Sequence, residues 1–369
     1  MKFSIQRDEL LRPLQLAGGV VERRQTMPVL ANVLLVQSGS NLSITGTDLE
    51  VEIVAKVELE GATGDAEITV PAKKFIDICR ALPDGSNIQF SFDSQKVLIK
   101  GGSARFTLST LPASDFPSVE ESEKNVSFSC TQKALKETID RTAFAMAQQD
   151  VRYYLNGMLW ELDKNKLNVV ATDGHRLALS SCEVESASGL GEAIQVILPR
   201  KGVLELARLL QDPEETVEIS LGKNHLRAKT KNFVFTSKLV EGKFPNYQQV
   251  IPRNGDKRLV GNKAELKQAF GRTSILSNEK YRGVRLILEP GKLSLVANNP
   301  EQEEAEDHVA VSYEGGNLEV GFNVSYIMDV LNVIGGENVA ITLSDANSSA
   351  LIEEESASNA AYVVMPMRL

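Results

Sequence analysis

The sequence predicts an α+β chain of three similar domains, each with two helices packed on antiparallel sheets. Three observations carry this. A corner in which an apolar run stops at Thr-Asp and an apolar strand soon restarts recurs about every 125 residues, at Thr47-Asp48, at Thr172-Asp173 and, as Asn298-Asn299, once more. After each corner an apolar strand runs into an amphipathic helix. Most of the remainder is short alternating strands between turn signals such as Pro83-Asp-Gly85, Asp163-Lys-Asn165 and Pro290-Gly291.

In chain order, each repeat opens with a helix, over roughly residues 7–17, 131–146 and 263–275. Leu10, Leu11 and Leu14 mark the apolar side of the first, Leu135, Ile139 and Met146 the second, Leu266 and Phe270 the third. Pro13 inside the first predicts a kink. The corner follows, and then the strand-to-helix junctions Ile68-Thr-Val-Pro71, Val196-Ile-Leu-Pro199 and Val320-Gly-Phe-Asn323. Proline suits a first helical turn, where its missing N–H has no partner to lose. Phe75, Ile78, Cys79 and Leu82 fall at i, i+3, i+4 and i+7 of one second helix; Val203, Leu206, Ala207 and Leu210 repeat the spacing, and Ile327, Val330 and Leu331 continue it. Strands in runs with few helices between them imply antiparallel pairing with both helices on one face. Polar, turn-rich stretches near 120–125 and 252–255 divide the chain into domains 1–124, 125–252 and 253–369.

Composition is that of an ordinary globular chain, 42% hydrophobic and 24% charged over 369 residues. The N-terminus is charged where a signal peptide would be apolar, and no apolar run is long enough for a membrane span. Cys79, Cys130 and Cys182 form no C-x-x-C pair and read as reduced, buried thiols in a cytoplasmic protein.

A net charge of −9 argues against a protein that grips nucleic acid by its overall field. The charge is unevenly placed, however. Lys73, Lys74 and Arg80 lie on the polar side of one second helix, and Arg200, Lys201 and Arg208 on that of the next. Acids gather in 50–60, 120–123, 301–307 and 353–355. Solvated helix faces would account for any one helix. Recurrence of the same basic positions in two repeats points instead to a basic surface for phosphate contact without base reading.

An enzyme reading finds little support. The chain has no P-loop, G-x-G-x-x-G, H-E-x-x-H, G-x-S-x-G or zinc-type spacing. Asp173 and His175 make half of a Ser-His-Asp set, but Asp48 stands at the same corner with Leu-Glu after it, so the Asp belongs to the shared corner. The 301–306 acids lack the Gly turn of a calcium loop and read as a solvated or pairing edge. No catalytic residue, metal site or cofactor is expected.

Several stretches then resemble one family along the whole chain: Gly46-Thr-Asp-Leu-Glu50, Asp150-Val-Arg-Tyr-Tyr-Leu-Asn-Gly157, Ala171-Thr-Asp-Gly-His-Arg-Leu177, Ile275-Leu-Ser-Asn-Glu-Lys280, Ala297-Asn-Asn-Pro-Glu-Gln-Glu-Glu-Ala305 and Tyr362-Val-Val-Met-Pro-Met-Arg-Leu369. The chain is similar to the bacterial DNA polymerase III beta subunits, the replicative sliding clamps. That resemblance implies a DNA clamp fold and a non-catalytic processivity factor of DNA replication, a head-to-tail homodimer whose six domains close a ring round duplex DNA with the helices inside. Weak, sequence-independent phosphate contact then suffices, because topology retains the DNA.

By matching positions the resemblance implies DNA-facing Arg24 and Gln149 beside Lys73, Arg80, Arg200, Lys201 and Arg208. It also implies a pocket between the second and third domains for short peptide motifs of polymerases, the clamp loader and repair proteins. Its residues would be Leu155, Thr172, Gly174, His175, Arg176, Leu177, Pro245, Val250, Tyr281, Asn323, Tyr326, Ser349, Val363, Val364, Met365, Pro366, Met367 and Arg368. Apolar walls that re-pack, with Arg and backbone groups at the rim, suit such partners. Gln249 and Asn347 depart from the family pattern, where an Arg and an apolar residue are usual, and bear on peptide preference. For the ring interface it implies Arg105, Phe106 and Leu108 on an edge strand facing Ile275 and Leu276 of the other copy, and Lys74, Lys96 and Lys100 facing Glu301, Glu303 and Glu304. Ser103, where a basic residue is usual, removes one ion pair.

Two rivals follow from the residues alone: a nucleic-acid-binding scaffold that never closes a ring, and a hydrolase built on Asp173 and His175.

Overall fold

The computed structural model describes residues 1–22, 27–62, 64–93, 95–117, 126–188, 191–356 and 359–368. Its helices are α1 (Arg7–Gly18), α2 (Ala72–Ala81), α3 (Gln132–Asp140), α4 (Arg200–Leu209), α5 (Lys263–Thr273) and α6 (Val324–Val333). No helix among the described residues is long and apolar enough to cross a membrane.

The junctions explain the repeat. Pro71 and Pro199 end the strands Asp65–Pro71 and Ile194–Pro199, and the helices begin at the next residue. The prolines therefore stand just ahead of the first turn, not inside it. In the third repeat Asn323 replaces proline, and its side chain accepts from the Ser325 amide at 2.9 Å, a true cap. Asn262 caps α5 in the same way, accepting from Ala264 and Glu265 at 3.0 and 3.2 Å. α1 does not end at Pro13, which is buried. α3 stops at Asp140, short of the expected end at 146. Thr138 and Thr142 turn their hydroxyls onto carbonyls of their own helix, Ala134 for the first, Thr138 and Ile139 for the second. Such back-bonding weakens a helix end, and a short turn, Ala143–Ala145, takes over.

The chain condenses into two compact units, each of which takes in parts of more than one of the expected domains. The first unit comprises 1–133, 185–191 and 201–239; the second, 134–184, 192–200 and 240–369. The first expected boundary, 120–125, lies outside the described residues. Sheet pairing is the physical reason for the division. In the first unit Val51–Glu58 pairs with Phe233–Lys238, Ile53 opposite Phe235, and one antiparallel sheet of nine strands spans all three sequence segments. In the second, Arg176–Glu183 pairs with Ala360–Val364, Leu177 opposite Val363, within a sheet of eight.

Each unit adds a sheet of four. In the first unit this sheet ends on the edge strand Ala104–Ser109; α1 and α2 bury Leu10, Leu14 and Phe75 beneath it with Leu35 and Phe90, all at most 2% exposed. In the second it ends on the edge strand Glu304–Ala310, and Trp160, Phe270, Phe322 and Tyr362 are fully buried. Leu10, Leu14, Phe75 and Phe270 reach inward from helices, and Leu35, Phe90, Trp160, Phe322 and Tyr362 from strands. All three cysteines are buried.

Candidate functional site

The two Thr-Asp corners are one hydrogen-bonded device built twice. In the second unit Thr172 Oγ1 donates to the Arg176 carbonyl at 2.6 Å and accepts from the Gly174 amide at 3.1 Å. The Asp173 carboxylate takes the amides of His175 and Arg176 at 2.9 and 3.1 Å. In the first unit Thr47 and Asp48 repeat every one of these bonds, to Val51, Leu49, Glu50 and Val51 in the same order. Asn299 takes the part of the Asp at the third corner, accepting from the Glu303 amide at 2.9 Å. The carboxylate is thus consumed by the turn. Asp173 accepts from the His175 backbone, not its ring, which removes the catalytic pairing considered from sequence.

What the middle corner adds is Gly-His-Arg. Arg176 donates through Nε to Asp173 at 3.1 Å, through Nη2 to the Phe144 carbonyl at 2.9 Å, and through Nη1 to Asp329 of α6. Its guanidinium carbon lies 4.5 Å from the Tyr326 ring centre and 5.2 Å from that of Phe144. His175 stacks on Tyr326 with ring centres 6.5 Å apart. The His175 carbonyl accepts from the Met365 amide at 2.9 Å, and Met367 pairs with Gly321. This corner therefore docks the C-terminal segment.

Beside it opens a cleft of about 210 Å³, lined by Leu155, Thr172, Gly174, Arg176, Leu177, Pro245, Val250, Val363 and Met365 of the expected set, and by Arg152, Tyr154, Phe244 and Tyr247, which were not expected. Beneath it a buried cluster of Leu155, Leu159, Val170, Leu177, Ile197, Phe244, Tyr247 and Val363 gives a rigid apolar floor. Val250 and Met365 are more than a third exposed, so apolar surface faces solvent at the rim. Arg152 is held by Asp150, whose carboxyl the guanidinium hydrogen bonds and the Arg152 amide pull down to about 2. It also donates to the Asp173 carbonyl at 3.2 Å.

The other expected pocket residues do not line this cleft. Val364 is wholly buried in its strand. Asn323 is spent as the α6 cap, and His175 and Tyr326 stack at the neighbouring docked corner. Tyr281 is 57% exposed; Ser349, Pro366 and Met367 are half-buried and Arg368 exposed.

The basic positions divide into two kinds. Lys73, Lys74 and Arg80 are exposed on α2 and in no ion pair among the described residues. Arg200, Lys201 and Arg208 do not form the solvated face expected of them; all are half-buried. Lys201 binds Asp48 and Glu22; burial opposes its charge, and the two carboxylates outweigh that and raise its pKa. Arg208 pairs with Glu205 at 2.8 Å and donates to the Leu16 carbonyl at the end of α1. Arg200 donates to the Met146 carbonyl at 3.4 Å, and burial and Arg176 lower its pKa. Helical spacing shows which side a cation lies on, not that a carboxylate from another repeat already meets it there. Gln149 is exposed with φ +55°. Arg24 lies outside the described residues.

Of the expected interface residues, Ile275 is 75% exposed and Leu276 half-buried. Lys96, Lys100, Arg105, Glu301, Glu303 and Glu304 are exposed, and Phe106 is half-buried. Leu108 is only 8% exposed, turned into its own sheet, so it presents little surface to another chain. Among the described residues no group of three or more metal-ligating side chains is found.

Sequence models of the N-terminal, central and C-terminal domains of the DNA polymerase III beta subunit match residues 1–120, 129–246 and 248–368. The chain is 61% identical to the beta sliding clamp of Pseudomonas aeruginosa over 369 residues and 49% identical to that of Escherichia coli over 372, covering the whole of both chains each time. It is also similar to the crystal structure of the Pseudomonas aeruginosa sliding clamp bound to griselimycin, with TM-score 0.97 and 61% identity over all of both chains. The chain belongs to the DNA polymerase III beta subunit family.

Proposed function

We propose that this chain is a processivity factor of DNA replication. Two copies join head to tail into a ring round duplex DNA, and the cleft at Leu177 and Met365 holds short peptide segments of the replicative polymerase, the clamp loader and repair proteins. The observation that carries the reading is the end-to-end likeness to beta sliding clamps, at 61% identity without a missing domain. The cleft is also the proposed site for griselimycin, which a relative carries.

Local features support the assembly. The edge strand Ala104–Ser109 is bordered by exposed Arg105, Lys96 and Lys100, whereas the edge strand Glu304–Ala310 exposes Glu304 and Glu306 after Glu301 and Glu303. Edges of opposite sign on one chain favour a heterologous contact between copies and disfavour pairing of like edges. DNA would meet Gln149, Lys73 and Arg80, while Arg200, Lys201 and Arg208 serve structure. Such a protein works in the cytoplasm, without cofactor and without catalysing a reaction.

Deleting residues 365–369 removes the strand-docked wall of the cleft. Loss of polymerase and loader binding with the dimer intact is the expected result; retained binding overturns the cleft assignment.

A further inference from the structure

Behind the cleft lies a polar row that holds one of its lining residues, Tyr247, from the far side. On the strand Gly157–Asp163, Glu161 stands opposite Asn168 on one neighbouring strand and opposite Gln195 on the other. Directly opposed residues share a sheet face. Both amides turn to the same carboxylate, Gln195 Nε2 donating at 2.5 Å and Asn168 Nδ2 at 3.3 Å. The third donor comes from outside the sheet: the hydroxyl of Tyr247 donates to Glu161 Oε2. Burial works against the charge, yet the three donors outweigh it and hold the Glu161 carboxyl below its ordinary value, while burial and the carboxylate push the Tyr247 phenol up to about 12.

Tyr247 is only 5% exposed and sits in the apolar cluster under the cleft. It opens the short turn Tyr247–Gln249, whose end is fixed by the Val250 amide donating to the Tyr247 carbonyl at 3.0 Å. On either side of it, Pro245 and Val250 face the cleft. A wall made of loop residues has no strand ladder to hold it, so its place depends on its side-chain anchors. Phe244 and Tyr247 are the buried ones, and Tyr247 has a directional bond to the sheet.

We infer that Glu161 is a positioning residue for the cleft: it never lines the cleft, but by gripping Tyr247 it sets where the 244–250 wall stands and so how tightly a partner is held. This rests on the reading of the cleft as the partner site. A charge-assisted hydrogen bond in a part-buried setting is stronger than a neutral one, and its loss leaves either a phenol or a carboxylate lone pair without its partner.

Calorimetry on the full-length protein, with griselimycin as probe, tests it. Tyr247→Phe and Glu161→Leu should each weaken binding about tenfold, the factor that 1.4 kcal/mol represents for one charge-assisted bond. The double variant should be no weaker than either alone, because both remove the same link. Glu161→Gln keeps an oxygen for the phenol but not the charge, and should bind within about threefold of the parent, between it and Glu161→Leu. Ile352→Val, a buried change in the same sheet away from the cleft, should lower Tm without moving Kd, which separates positioning from general stability. Met365→Lys tests the underlying reading. If it abolishes binding while Tyr247→Phe and Glu161→Leu bind like the parent, the inference alone falls. If Met365→Lys itself binds like the parent, the cleft reading falls and takes the inference with it.

Discussion

Leu49 and Gly174 hold the same backbone conformation, φ +78° and +89°, at the same place in the two Thr-Asp corners. A left-handed conformation suits glycine and costs other residues about 1–2 kcal/mol. Leu49 bears that cost because Thr47 and Asp48 fix its neighbours in four hydrogen bonds. Replacing Leu49 by Gly should therefore raise stability by about 0.5–1 kcal/mol, the strain relieved less the greater freedom of an unfolded glycine. The reverse change is worse than strain alone. A Cβ on residue 174 would lie 2.9 Å from the Arg152 guanidinium, so Gly174→Ala should lower stability and displace Arg152 from the cleft rim. Denaturant midpoints for the pair, moving in opposite directions, check this; equal shifts would refute it.

The sequence made the shared part of the repeat readable. Apolar spacing located the helices, and the recurrent Thr-Asp located the corners, because both are local patterns with a local cause. The cleft was only half readable. Arg152, Tyr154, Phe244 and Tyr247 come from irregular segments without periodicity, and their convergence depends on sheet pairings between distant strands. Their signal was compositional: Phe244-Pro245 and Tyr247 are aromatic and apolar residues in a stretch otherwise polar enough to be a surface loop. Turn-rich linkers are local and mark the ends of the sequence repeats, whereas compactness follows the sheets that run across them.

Lys201 and Arg80 are both expected from the resemblance to face DNA, and they should behave differently. Lys201→Met strands Asp48, whose side chain is 5% exposed, and should cost about 1–3 kcal/mol of stability with little change in DNA affinity. Arg80→Ala should leave stability within about 0.5 kcal/mol and reduce the salt slope of DNA binding by about one. Thermal melts and binding across a salt series distinguish them; a reduced slope for Lys201→Met would place it among the phosphate contacts after all.

Asp150 carries a pH signature. Its pKa of about 2 is depressed by Arg152, so the link is fully present above the unfolded value of about 3.9 and is lost only as pH falls through about 2. A carboxyl-carbon titration by NMR should show Asp150 still ionised at pH 3. In Arg152→Ala the midpoint should rise toward about 3.9. A midpoint unchanged by that substitution would mean that the Arg152 side chain is not the cause.

Ile275 is 75% exposed beside half-buried Leu276, more apolar surface than a lone chain gains from showing. Changing both to Ala should convert a dimer into a monomer on sizing, without loss of fold by circular dichroism. An unchanged dimer would move the interface elsewhere.

Retention on closed circular DNA is the measurement that bears most directly on the proposed ring. Weak phosphate contacts are screened by salt, whereas a closed ring is held by topology alone. Protein loaded on a nicked circle should therefore stay bound through a high-salt wash and leave once the circle is cut to a linear molecule. Equal, salt-sensitive release from both forms would contradict the ring and leave an ordinary nucleic-acid binder in its place.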